Sequence, residues 1–278
     1  MSREPTFEAT AIREQFSELA SLIDSELTVY LIGGGALTLQ DMKNATRDID
    51  LIVREMAELQ QLWNVLRDAG YHPQGDVAAE YNDLDAAFIL VKDQRRFDVF
   101  HEQVAGVLYL SESMVSRSQH LFDEGKLAVR TVSLNDIFLF KAVANRDDDV
   151  DDMVQIAQTG IDEEMIVEEI MTQLDLIGSD NFIGAMEQKF NRLEEQGFDF
   201  DIHQEVTALA KRVDDGTTVR NAIVSLEEHE YDDDLYAGVP ESAISRRIGD
   251  YTAESGIKWL VKRGTVERAS DGSIVLAE

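Results

Sequence analysis

Residues 31–53 read LIGGGALTLQDMKNATRDIDLIV, and this stretch decides the fold. Gly33, Gly34 and Gly35 end an aliphatic run, and across a gap of thirteen residues from Gly34 come Asp48 and Asp50, set among Ile49, Leu51 and Ile52. Aspartate alternating with aliphatics has the period of two of a β-strand, so both carboxylates leave one face while Ile49 and Leu51 enter the other. Adjacent carboxylates repel, and each takes up a proton or destabilises the fold unless a divalent cation supplies the missing charge. Mg²⁺ prefers hard oxygen ligands and keeps positions open for water and phosphate, which suits the pair. A turn without Cβ atoms, in turn, lets backbone N–H groups approach phosphate oxygens at the start of a following helix. The stretch therefore predicts a triphosphate held at Gly33–Gly35 and metal ions held at Asp48 and Asp50.

Working outward, LTVYLIGG reads as the strand before the glycines, ALTLQ opens a helix, and RDIDLIV is a second strand. MAELQQLWNVLRDAGY carries Leu59, Leu62, Leu66 and Ala69 on one face and a closing Gly70, the pattern of a capped helix. AAFILV, the polar turn KDQR and RFDVFH form a hairpin, which sets Asp98 between Phe97 and Val99. Asp98 is the candidate third carboxylate, on a strand pairing near the first two. An amphipathic helix over residues 6–24 precedes all of this. Strand, helix, strand, helix and hairpin describe an α/β domain on a mixed sheet, assigned to residues 1–133.

From Ser133 the pattern turns helical: SLNDIFLFKAVANRDDDVDDMVQIAQ has Ser133 at an N-cap position and Ile137, Phe140, Val143 and Ala144 at helical spacing. Further amphipathic segments at 161–176, 179–196 and 201–213 complete a helical domain, 134–214. The remaining residues, 215–278, offer a helix at 217–229, the acidic loop YDDDLYAG, a short helix opened by Pro240, a turn at Gly249, a helix TAESGIKWLVKRG and a strand pair with Asp271–Gly272 at its tip. That order fits a small winged helix-turn-helix.

Against 25 Lys and Arg stand 55 Asp and Glu, a formal charge of −30, so nonspecific binding to polyanions is disfavoured. Because 44% of residues are hydrophobic, a core is available and the acid is a surface property, as in proteins adapted to molar KCl. Without cysteine there is neither a disulfide nor a thiolate metal site. The mixed-charge N-terminus resembles no signal peptide and no window has about eighteen uninterrupted apolar residues, so a soluble cytoplasmic protein with no membrane partner is expected. Residues 240–278 escape the charge bias, since Arg246, Arg247, Lys258, Lys262, Arg263 and Arg268 balance six acids; Arg246, Arg247, Lys258, Lys262 and Arg263 are the candidate nucleic-acid contacts.

Simpler readings compete at several positions. Thr38 stands where a third Rossmann glycine belongs, and no Gly-Lys-Ser/Thr follows for a P-loop. Asp83 and Asp85 repeat the Asp-x-Asp spacing but read as a solvated edge, and RDDDVDD as a solvated acidic face. The five histidines show no metal-ligand spacing, and Trp63 and Trp259 sit on apolar helix faces.

Ile32, Gly33, Gly34, a thirteen-residue gap, then Asp48, Ile49, Asp50 and Leu51, with Thr46 just before the acids, resembles the signature of the DNA polymerase beta superfamily of nucleotidyltransferases. A second match is similar to the form D-x-x-x-x-K-x-x-A-x-R-x-x-D-x-x-D of its minimal, toxin-like members, met by Asp136, Lys141, Ala144, Arg146, Asp149 and Asp152. The resemblance spans residues 28–155. It implies transfer of a nucleoside monophosphate from an NTP to a hydroxyl on RNA, protein or a small molecule, with two Mg²⁺ at Asp48, Asp50 and Asp98. It also implies that Lys141 contacts the triphosphate, with Arg146, Asp149 and Asp152 in the nucleotide site; members of that group are often encoded beside an antitoxin, which would be the partner. The basic residue usual two positions before the threonine is Asn44 here. The other class consistent with the sequence is a DNA-binding regulator, acting through the C-terminal segment, whose nucleotidyltransferase-like domain is not catalytic.

Overall fold

The computed structural model describes residues 7–74, 86–104, 106–144, 146, 149–177, 180–231 and 238–277. Asp83, Asp85 and most of the acidic loop at 231–238 lie outside the described residues. Packing divides the chain into two compact units, residues 1–177 with 192–198, and residues 178–191 with 199–278. Among the described residues no helix is long and apolar enough to cross a membrane.

In the first unit a seven-stranded mixed sheet runs β3 (His72–Pro73), β4 (Phe88–Lys92), β5 (Arg95–His101), β2 (Ile49–Val53), β1 (Leu27–Ile32), β9 (Leu127–Thr131) and β8 (Gln119–Glu124). Two pairings are parallel, β1 with β9 and β2 with β5; the β1–β2 pair at the centre is antiparallel. Every residue of β2 is buried, which suits its unbroken aliphatic composition apart from Asp50. One sheet face is closed by α1 (Ala9–Ala20): Phe16 meets Phe97 and Phe122 edge-on at 6.2 and 5.7 Å. Tyr71 joins Phe97 at 5.3 Å on the same side. Since Phe97 takes that face, strand alternation turns Asp98 to the other.

Helices α2 (Gly33–Leu39) and α3 (Met56–Asp68) follow β1 and β2 directly. The sequence placed the start of α2 at Ala36, whereas the helix begins on Gly33 itself. Glu55 and Glu58 form a capping box on α3, and Leu62, Val65 and Leu66 form its buried stripe. A small hairpin of β6 (Gln103–Val104) and β7 (Leu108–Tyr109) and the short helix α4 (Glu112–Arg117) link β5 to β8.

The single helical segment expected after Ser133 is two helices, α5 (Leu134–Val143) and α6 (Asp149–Gln158), with Arg146 between them. Eight of the ten residues of α5 are buried, so α5 is a core helix rather than an amphipathic one. Then come α7 (Glu163–Ile177) and α8 (Phe182–Glu195).

In the second unit the separate helices expected at 201–213 and 217–229 are one 29-residue helix, α9 (Asp201–His229). Gly216, which lies between the two expected segments, serves a crossing: a Cβ there would stand 2.9 Å from Trp259 Cδ1. Gly256 on the opposing helix is equally confined, its hypothetical Cβ lying 2.4 Å from the Asp215 carbonyl oxygen. Paired glycines let the two backbones approach, which outweighs the roughly 1 kcal/mol helix penalty of each. After α9 come α10 (Glu241–Ile248), a turn at Gly249 with φ of 91°, α11 (Asp250–Lys262) and the hairpin β10 (Val266–Arg268) with β11 (Ile274–Leu276).

Candidate active site

Register alone brings two of the aspartates together. Asp50 lies opposite Ile32 on β1 and opposite Asp98 on the parallel strand β5. Asp48 precedes β2, and one carboxylate oxygen from each of Asp48, Asp50 and Asp98 lies within 4.8 Å of the others. All three are buried, Asp98 completely. At about 5 Å and an effective dielectric near 20, each ionised pair repels by about 3 kcal/mol. Burial, with repulsion from Asp48 and Asp98, therefore raises the Asp50 carboxyl well above the usual carboxylate range. Burial also pushes Asp98 up, to about 6, although Arg96 opposes the rise. The donor set is three hard carboxylates in close reach of one another, and a divalent cation would remove the repulsion they share, so the residues fit such an ion.

The glycines have a second use that the sequence did not disclose. Gly33 has φ of 60°, and a Cβ on it would lie 2.3 Å from Asp50 Oδ2. Beyond it, a Cβ on Gly34 would meet Thr46 Oγ1 at 2.5 Å, and one on Gly35 would reach Leu31 Cδ1 at only 3.3 Å. The triglycine is thus the floor on which Asp50 and Thr46 rest. Gly33→Ala is expected to strain the backbone by about 1–3 kcal/mol and to displace Asp50, lowering both the urea midpoint and any activity sharply. Gly35→Ala, with a looser contact, should do much less; equal effects in the two variants would remove the role assigned to Gly33.

Thr46 is buried, and its hydroxyl donates to the Asp48 carbonyl at 3.1 Å, while its backbone exchanges hydrogen bonds with Phe7. In this structure it shapes the approach to Asp48. Lys141, buried on α5, bonds Asp149 Oδ1 at 2.8 Å and Asp152 Oδ2 at 2.7 Å, both at the start of α6. Burial would lower the lysine, but the two carboxylates prevail and hold it above its ordinary value. Asp152, which burial would raise, is instead lowered by Lys141 and Lys43. The positive fields of Arg146 and Lys141 act on Asp50, so the two sequence motifs share one electrostatic environment. Asp149 Oδ2 is buried and has no hydrogen-bond partner among the described residues.

Two residues of this site escaped sequence reasoning. Arg96 donates from Nε to Asp98 Oδ1 at 2.5 Å and from Nη2 to Oδ2 at 2.7 Å, a bidentate clamp. Its signal was available, since residues i and i+2 of a strand share a face. Lys43 reaches Asp152 at 2.9 Å and supplies a cation beside Asn44, where the superfamily pattern has its basic residue. Only the tertiary fold shows this, because Asp152 lies 109 residues away. Asp136, counted in the second motif, stays outside the cluster: it forms a capping box with Ser133 and pairs with Arg117, which also bonds Glu169.

The candidate nucleic-acid contacts belong to the second unit. Arg247 bonds Ser225 Oγ at 2.8 Å, Arg246 bonds the Ser242 carbonyl within α10, and Lys258 stands 4.0 Å from Glu254. Lys262 and Arg263 close α11.

Paired aspartates on the parallel strands β2 and β5, beside glycines that open α2, fit the class of the nucleotidyltransferases. The chain belongs to the family described as nucleotidyltransferase of unknown function (DUF6036), whose model matches residues 10–197, so it is a transferase enzyme. Among solved structures it is similar to the crystal structure of ANT(2")-Ia in complex with adenylyl-2"-tobramycin, at 15% identity and a TM-score of 0.39, over 57% of this chain and 92% of that one. A comparison with curated proteins finds no match.

Proposed function

We propose that this protein moves a nucleoside monophosphate from an NTP to a hydroxyl on RNA, protein or a small molecule, with Asp48, Asp50 and Asp98 holding two Mg²⁺. The single observation that carries this reading is the juxtaposition of the three buried carboxylates within 4.8 Å. In the reaction the acceptor oxygen bonds the α-phosphorus, the bond to the pyrophosphate oxygen breaks, and the hydroxyl proton is lost. Bound there, Mg²⁺ supplies charge neutralisation of the phosphates and a lowered pKa for the acceptor hydroxyl. The chain's own part is to fix the carboxylates: Gly33 packs beneath Asp50, Arg96 orients Asp98, and Thr46 sets the backbone at Asp48. We assign Lys43, a third exposed and at the rim of the ion cluster, as a phosphate contact alongside Lys141 and Arg146, which take the role of a charge clamp. Asp149 and Asp152 hold Lys141 in place.

Incubation with α-labelled NTPs, Mg²⁺, total RNA and candidate proteins in concentrated KCl tests the reading. Transfer of label to one class of acceptor is expected. A duplex-DNA footprint without any transfer would favour the DNA-binding regulator instead.

Metal binding should be linked to protons. Asp98 is raised from 3.8 to about 6, so the folded chain binds more protons than the unfolded chain between those values, and stability without metal falls as pH rises through that window. A divalent ion needs the ionised form. The gain in melting temperature on adding 5 mM Mn²⁺ is therefore expected to be several degrees at pH 8 and near zero at pH 5. An equal gain at both pH values would show that the ion binds elsewhere.

We also propose that the surface is adapted to concentrated salt, on the strength of its −30 charge. Screening shortens from about 10 Å at 0.1 M to about 3 Å at 1 M salt. The melting temperature is expected to climb by several degrees across that range of KCl, and a flat profile would contradict the adaptation.

A further inference from the structure

The second unit carries a cleft of about 380 Å³ lined by Arg212 of α9 and by Tyr251, Glu254, Ser255, Lys258 and Lys262 of α11, with the buried Trp259. The α11 residues recur at three- and four-residue intervals, so they form one stripe along the helix. In a chain with a formal charge of −30, the cleft brings two cations of this stripe and Arg212 of α9 against one carboxylate. Among the described residues, Arg212 and Lys262 form no ion pair, and Lys258, 81% exposed, has only the 4.0 Å contact with Glu254. The concentration of positive charge fits a ligand that carries phosphate.

Tyr251 narrows the choice. Tyr251 is 71% exposed, and the Lys211 ammonium, itself paired with Asp215 at 3.2 Å, stands 5.0 Å from its ring centroid. A large aromatic left in water beside cations is the arrangement on which unpaired bases stack, and a duplex, whose bases are already stacked, cannot use it. The volume suits one nucleotide unit rather than a groove-filling helix. Glu254 would repel phosphate, but a carboxylate accepts a hydrogen bond from a ribose 2′-hydroxyl, a donor that DNA lacks.

We infer that this cleft binds single-stranded RNA, with backbone phosphate at Arg212, Lys258 and Lys262, a base against Tyr251 and a 2′-hydroxyl at Glu254. The inference goes beyond the proposed reaction and does not depend on it, because binding needs neither NTP nor metal.

The test is fluorescence anisotropy of the full-length protein with a 12-nucleotide unstructured RNA, without NTP, across KCl concentrations at which circular dichroism shows it folded. For three phosphate contacts, the logarithm of the binding constant should fall against the logarithm of salt with a slope of about −2. Lys258→Gln with Lys262→Gln should weaken binding at least about tenfold and flatten that slope by about 1.4, while Lys262→Arg keeps the affinity. Tyr251→Ala is expected to cost about fivefold to a hundredfold. DNA of the same sequence should bind several-fold more weakly, and Glu254→Gln should narrow that gap. No binding, variants that bind like the wild type, a preference for duplex DNA, equal affinity for single-stranded DNA, or full competition by poly-glutamate would each overturn the inference.

Discussion

Asp50→Asn is expected to lower nucleotide transfer on the order of 10³-fold and, at the same time, to make the protein more stable at neutral pH without metal. Both effects come from one cause. Asp50 is 7% exposed and faces Asp98 across paired strands, with Asp48 in reach, so its charge is held where charge is least tolerated. Asparagine keeps the shape, including the contact over Gly33, while removing a carboxyl that without metal must hold either an ill-tolerated charge or a proton. Each kcal/mol so gained should appear as about 2–4 °C in melting temperature for a chain of this size. Calorimetry in EDTA and a transfer assay read the two effects separately. Transfer at the wild-type rate would end the catalytic assignment. Lost transfer with lowered stability would mean that Asp50 holds the fold together and that its charge is satisfied by something other than a metal ion.

Lys141→Met should destabilise the first unit by about 3–5 kcal/mol, the usual consequence of removing one partner from a buried ion cluster. Lys141, Asp149 and Asp152 are all less than a tenth exposed, and both lysine contacts are shorter than 3 Å. Methionine matches the stem and packs well, so the loss comes from two carboxylates left, among the described residues, with Lys43 beside Asp152 as their remaining ion-pair partner. Adding Asp149→Asn should restore part of the stability, because the second change removes a charge that the first one stranded. The linkage can be stated with its sign. Asp152 sits below its ordinary 3.8, so its share is present above that value and lost as pH falls below it. Lys141 sits above its ordinary 10.5, so its share is present below that value and lost as pH rises past it. Between those limits the advantage of the wild type in urea denaturation should be flat with pH. A loss under about 1 kcal/mol would show that the cluster is solvated and that Lys141 is free to serve the triphosphate alone.

The strands around the aspartates were legible because their pattern is local: LTVYLI and IDLIV are short apolar runs rich in β-branched residues, bounded by glycines or polar residues. The β8–β9 hairpin went unread although Gly125 marks its turn, since QHLFDE is polar, half-exposed and little different from a loop. That omission hid the parallel partner of β1. The gap expected between 213 and 217 is continuous helix, because helix propensity is a local average and close packing of Gly216 against Trp259 overrides it. Asp136 fitted a motif by spacing but serves a cap, since Ser133 and Arg117 reach it first.

By itself, the sequence determined that a glycine turn and an alternating pair of acids lie on neighbouring elements of an α/β domain, because turn freedom and strand period act over a few residues. Only the tertiary structure decided that Asp98 stands beside Asp50, that Arg96 clamps it, that Lys43 meets Asp152, and that the glycines form the floor under the carboxylate. Those facts depend on register and close approach between residues up to 109 positions apart, and charge and contact in a folded chain act through space rather than along the backbone.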